Sequence, residues 1–217
     1  MADRKENRRF VFSVEGDTEK WYLDWLQRTI NTNPNAVTNV IIDAKVEKSP
    51  KKFMKTLNSK NPPSAVHLCD VEGQTSGDIT TFEKTLKELK DARKQKGVKY
   101  SIGYSNLSFE LWLLLHKQDC FGSLNTKSKY LSMINTCFSA NFESLREYKK
   151  ERNFDYCLSK ISLEDVKNAI DRAERIMKNN LDAGRKLTKV AGFSYYRENP
   201  SLNINMAVKI ILAECGL

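Results

Sequence analysis

The chain has 217 residues, 40% of them hydrophobic and 10% aromatic, enough to build a packed core and to exclude global disorder. Lys and Arg number 36 against 27 Asp and Glu, a formal net charge of +9, and a surplus of that sign favours polyanionic partners. The opening MADRKENRR is charged and no apolar stretch follows it that could serve as a signal peptide, while the longest apolar run, Leu111 to Leu115, is far short of a bilayer span; a cytoplasmic protein with no membrane contact is expected.

Along the chain, Phe10 to Val14 is β-branched and aromatic, the pattern of a buried strand, and Glu15-Gly16 ends it. Asp17 and Thr18 can cap a helix from Glu19 to about Ile30, with Trp21, Tyr22, Trp25 and Leu26 on one face. A second strand centres on Val40-Ile41-Ile42, and a short helix from Pro50 to Leu57 is broken by Asn61-Pro62-Pro63. Ala65 to Cys69 is a third strand stopping at Asp70. Glu83 to Lys96 is a charged surface helix closed by Gly97. Lys99 to Tyr104 is a fourth strand, and Ser105-Asn106 leads into an apolar helix from Ser108 to His116. This alternation predicts an α/β fold with a mostly parallel sheet flanked by helices. From Thr126 onwards only helical periodicity is legible: Tyr130 to Phe138, Leu163 to Asn180 and Asn203 to Glu214. The expected organisation is an α/β core over residues 1–122 and a helical C-terminal extension over residues 123–217 packed on it.

Cys69, Cys120, Cys137, Cys157 and Cys215 are odd in number and none lies in a CxxC pair, which argues against a disulfide framework and a zinc site. With only His67 and His116 present, a His-rich metal centre is also excluded.

In an open α/β sheet the ligand site lies at the carboxyl ends of the strands. Two strands here end in acids: Glu15 after the first, and Asp70-Val71-Glu72 after the third. Alternation makes residues i and i+2 face the same way, so Asp70 and Glu72 project together, beside Glu15 if the strands are neighbours. Carboxylates gathered without a cation repel one another, and a hard divalent ion, Mg²⁺ with Mn²⁺ as substitute, is the simplest remedy. Singly, each acid also fits an ordinary turn or helix cap.

These residues carry a resemblance. Glu15 to Tyr22 resembles the EGxTExxY opening of the RloB (AbiLii-like) family, Asp70-Val71-Glu72 its DxD position, and Ser105 to His116 its SNPxFExWLLLH block. Tyr148-Lys149-Lys150 matches a downstream YxK position and Asn199-Pro200-Ser201 a near-terminal NPST element. Two positions depart: Glu72 stands for the second acid of DxD, with longer reach, and Leu107 for the proline. The resemblance implies a TOPRIM-like core, as in topoisomerases, primases and OLD-family nucleases, and a role in bacterial abortive infection beside an AAA/ABC-type ATPase partner. It makes Glu15 a metal ligand or general acid/base, Asp70 and Glu72 the metal-binding pair, and Glu19 and Glu110 supporting acids.

The reaction implied is Mg²⁺-dependent phosphodiester cleavage of DNA or of tRNA or other RNA, by water, with Lys149 either stabilising transition-state charge or standing as a solvated lysine beside Lys150 and Arg152. Arg185, Lys186, Lys189 and Arg197, around Tyr195-Tyr196, form a basic stretch that could track a phosphate backbone or be a solvated face. His116 reads as a packing residue and the tryptophans as core. The rival readings are a non-catalytic nucleic-acid-binding or docking subunit of an ATPase-containing complex, and primase-type nucleotidyl transfer. Homo-oligomerisation stays open.

Overall fold

The computed structural model describes residues 5–57, 64–96, 98–122 and 126–217. The expected chain break at Asn61-Pro62-Pro63 and the helix stop at Gly97 lie outside the described residues. Four strands, β1 (Asn7–Val14), β2 (Asn39–Val46), β3 (Ala65–Asp70) and β4 (Tyr100–Asn106), alternate with helices α1 (Asp17–Asn31), α2 (Pro50–Thr56) and α3 (Ser76–Lys96). The strands pair in parallel in the order β2-β1-β3-β4. This is the mixed α/β architecture with a mostly parallel sheet that the alternation implies.

Then come α4 (Glu110–Leu115), α5 (Lys127–Phe138), α6 (Leu145–Tyr148), α7 (Glu151–Leu158) and α8 (Leu163–Asp182), two short strands β5 (Leu187–Val190) and β6 (Phe193–Tyr196), a two-residue strand β7 (Ser201–Leu202), and α9 (Ile204–Glu214). The second half is therefore not purely helical. β5 and β6 form an antiparallel hairpin, and β7 adds to the main sheet antiparallel to β4, setting Ser105 against Leu202 and Asn106 against Ser201. The hairpin turns at Ala191-Gly192, both at positive φ (56° and 89°), the geometry of a tight two-residue loop whose twist matches its strands.

Local chemistry explains the helix starts. α3 begins at Ser76 rather than Glu83 because Thr75 and Asp78 satisfy each other's backbone N–H groups: Asp78 N donates to Thr75 Oγ1 (3.2 Å) and Thr75 N to Asp78 Oδ2 (3.2 Å). α8 starts with the same device built from Ser162 and Asp165. α1 starts at Asp17, one residue after an extended Gly16, with Asp17 and Glu19 in the first turn where the helix dipole favours acids.

The sheet separates two apolar layers. One face carries Phe12, Val14 and Leu68 against α1, α4, α8 and α9, with Trp112 and Tyr22 fully buried at its centre. The other carries Val11, Ala65, Cys69 and Tyr100 against α2, α3 and Tyr195 of the hairpin. Gly103 lets the first layer close: a Cβ there would lie 2.5 Å from Leu68 Cδ2 and 3.4 Å from Ile204 Cα.

Candidate functional site

Because β1 and β3 are parallel neighbours, their carboxyl ends open on one edge of the sheet. Glu15 is the first residue beyond β1 and Asp70 the last of β3; Asp70 N donates to Glu15 Oε2 (3.2 Å). Glu72 reaches the same place by a bent route. Val71 N donates to Ser105 O and Glu72 N to Leu107 O (2.9 Å each), pinning the segment after β3 to the end of β4. Glu72 itself sits at φ 67°, a left-handed conformation that costs a non-glycine residue about 1–2 kcal/mol. Alternation along a strand is thus not what aligns Asp70 with Glu72; the left-handed turn is. The peptide between Asn106 and Leu107, where the family block has proline, is cis.

One carboxylate oxygen from each of Glu15, Asp70 and Glu72 falls within a set spanning 4.8 Å. They line a cleft of ≈ 250 Å³ shared with Gly16, Asp17, Thr18, Glu19, Lys48 and Lys149. Glu15 and Asp70 make no ion pair within 4.0 Å among the described residues. Burial pushes the Glu15 carboxyl up to about 7, the charges of Glu19 and Glu72 adding to the rise, while the Asp70 N–H and Lys48 oppose it. Asp70 is held well above the usual carboxylate range, first by burial and then by Glu19, Glu110, Glu15 and Glu72. Such a cluster must take up either protons or a cation. Its donors are hard carboxylate oxygens, so the residues fit Mg²⁺ or Mn²⁺.

Glu19 and Glu110 stand behind this set and outside its 4.8 Å span. Glu19, in the first turn of α1, is buried, accepts from Thr18 Oγ1 (3.0 Å), and is raised by burial above its ordinary value. The bare Cα of Gly16 admits it, since a Cβ there would approach Glu19 Oε2 to 3.0 Å. Glu110, only 2% exposed at the start of α4, pairs with Lys149 Nζ at 2.8 Å. Burial alone would depress the Lys149 ammonium, but Glu110, Asp70 and Glu19 outweigh it and keep Lys149 charged. Lys149 therefore stands at the cleft with its charge partly committed to Glu110. Lys48, just past the end of β2 beside β1, was not among the expected site residues; the strand-end logic that finds Glu15, applied to β2, would have found it.

A family model described as RloB-like protein matches residues 10–211. The chain belongs to the RloB-like family. No curated protein and no solved structure matches it.

In this RloB-like chain the expected basic stretch is divided. Arg197 pairs with Glu83 (2.9 Å) and Arg185 donates to Asn180 Oδ1 (2.8 Å), whereas Lys186 and Lys189 are exposed on and beside β5. Tyr195 and Tyr196 are buried, Tyr195 hydroxyl donating to Glu83 Oε1 (2.8 Å), so neither offers a stacking face. His116 is a packing residue: Nδ1 lies 2.9 Å from Trp112 O and Nε2 3.2 Å from Tyr22 hydroxyl, and burial lowers its pKa to about 4. No helix among the described residues is long and apolar enough to cross a membrane.

Proposed function

We propose that this RloB-like protein is a divalent-metal-dependent nuclease with a TOPRIM-type core, acting on nucleic acid in bacterial anti-phage defence beside an ATPase partner. The observation that carries the reading is the convergence of Glu15, Asp70 and Glu72 within 4.8 Å in a cleft that also holds Lys149. Glu15, Asp70 and Glu72 would hold Mg²⁺ or Mn²⁺, which when bound offsets phosphate charge and favours attack by water. Without a cation, burial holds the Glu15 carboxyl near 7, so binding the ion would displace a proton from it. Glu110 fixes the direction of the Lys149 ammonium, leaving it to face a phosphate oxygen at the cleft. Glu19 adds negative potential that keeps a cation in place.

The test is incubation of the full chain, alone and with an AAA/ABC-type ATPase, with plasmid DNA, single-stranded DNA and tRNA in Mg²⁺ or Mn²⁺. Cleavage that stops in EDTA and in folded Glu15→Gln and Asp70→Asn variants supports the reading. Metal-binding protein that cuts none of these substrates, with a cellular defence phenotype indifferent to both substitutions, overturns it in favour of a docking subunit.

A further inference from the structure

On the α2/α3 side of the sheet lies a second group of potential ligands, of which the nuclease reading uses Glu15 alone. The β1–β3 register sets Ser13 opposite His67, and two residues further along each strand come Glu15 and Cys69 on the same face. Ser13 Oγ lies 2.7 Å from His67 Nδ1 and also meets the Tyr100 hydroxyl. His67 is fully buried, yet its other ring nitrogen, Nε2, has no hydrogen-bond partner. Leaving such an atom unsatisfied costs about 1–3 kcal/mol. Cys69 is a free, buried thiol. Ligand atoms of Glu15, His67 and Cys69 all fall within 4.8 Å of one another.

We infer that Glu15, His67 and Cys69 form a second metal site, for a borderline divalent ion of the zinc class, behind the carboxylate site and sharing Glu15 with it. One sulfur, one imidazole nitrogen and one carboxylate oxygen are the donors such ions select, whereas Mg²⁺ does not take thiolate. Ser13 supplies the second hydrogen bond that a metal-bound imidazole needs: Nδ1–H donates to Ser13 Oγ, which leaves the Nε2 lone pair for the metal. The Ser13 hydroxyl is in turn held by Tyr100. As the metal–sulfur bond forms, the Cys69 thiol proton passes to solvent. Glu15 has two oxygens and belongs to both ligand groups, so one oxygen can serve each site. Cysteine spacing along the chain does not register this set, because a His-x-Cys pair on one strand becomes a site only when a neighbouring strand brings a third ligand.

The full chain is loaded with Zn²⁺ and its zinc-edge X-ray absorption recorded, then with Co²⁺ for the thiolate charge-transfer band. One sulfur scatterer at about 2.3 Å with nitrogen and oxygen neighbours is expected, lost in Cys69→Ser and in His67→Gln and retained in Asp70→Asn. Ser13→Ala should weaken zinc about 10–100-fold while keeping the sulfur shell, as loss of an orienting hydrogen bond does. A zinc spectrum without sulfur in the wild-type chain, or one whose sulfur survives Cys69→Ser, overturns the inference; the wild-type spectrum decides against it even if a variant fails to fold. Mn²⁺ binding followed by electron paramagnetic resonance in Cys69→Ser reports the carboxylate site separately. Its loss with sulfur-bound zinc intact in the wild type would sink the nuclease reading and leave this one standing.

Discussion

Glu15→Gln in metal-free protein probes the electrostatics of the cleft most directly. The carboxyl is raised from 4.5 to about 7, chiefly by burial, and at about 1.4 kcal/mol per pH unit this corresponds to about 3 kcal/mol. Because the folded state holds this proton more tightly than the unfolded chain, the contribution is fully present below pH 4.5, is lost as pH rises, and is gone above about 7. Glutamine carries no charge, and its amide oxygen can still accept from Asp70 N. In urea unfolding with EDTA, the variant should match the wild type near pH 5 and exceed it by up to about 3 kcal/mol at pH 8. Saturating Mn²⁺ should restore the wild type at pH 8 and leave the variant unchanged. A variant less stable than the wild type at pH 8 in EDTA would refute the reasoning, since the ionised carboxylate would then be contributing to the fold rather than straining it.

Lys149→Met leaves Glu110 buried without its cation and should cost about 3 kcal/mol in urea unfolding at pH 8, recovered in the Lys149→Met/Glu110→Gln double variant; a loss under about 0.5 kcal/mol would mean that the pair behaves as a surface one. Gly103→Ala should lower stability by about 1–3 kcal/mol in thermal melts, because Leu68, itself buried, stands where the new Cβ must go. If the hairpin touches nucleic acid, Lys186→Ala and Lys189→Ala should each weaken binding and lower the salt slope by about 1, whereas Arg197→Ala, whose charge is spent on Glu83, should leave that slope unchanged; fluorescence anisotropy across a salt series measures both.

The four parallel strands of the sheet are readable because each is a short β-branched or aromatic run closed by a turn or an acid, and Glu15 and Asp70 follow from that same punctuation. The placement of Glu72 is not readable from periodicity, since it depends on backbone bonds to Ser105 and Leu107, residues of another strand end. The β5–β6 hairpin escapes a search for long periodic segments because each strand has four residues; the Ala191-Gly192 pair between two β-rich tetrapeptides is the local clue to it. β7 has no such clue. Two residues carry no pattern, and only pairing with β4 makes them a strand. The role of Lys149 is half-visible: its identity is in the sequence, but its ion pair with Glu110 joins residues 39 positions apart, which no local rule predicts.

The segment after β3 is tied to the end of β4, and β4 is bordered in turn by β7, which is translated long after it. During synthesis, then, the acids of β1 and β3 leave the ribosome ahead of the strand that borders their support, and this border of the sheet stays bare until the late residues arrive. A polypeptide interrupted before β7 would carry every carboxylate of the cleft yet lack the flank that borders their support.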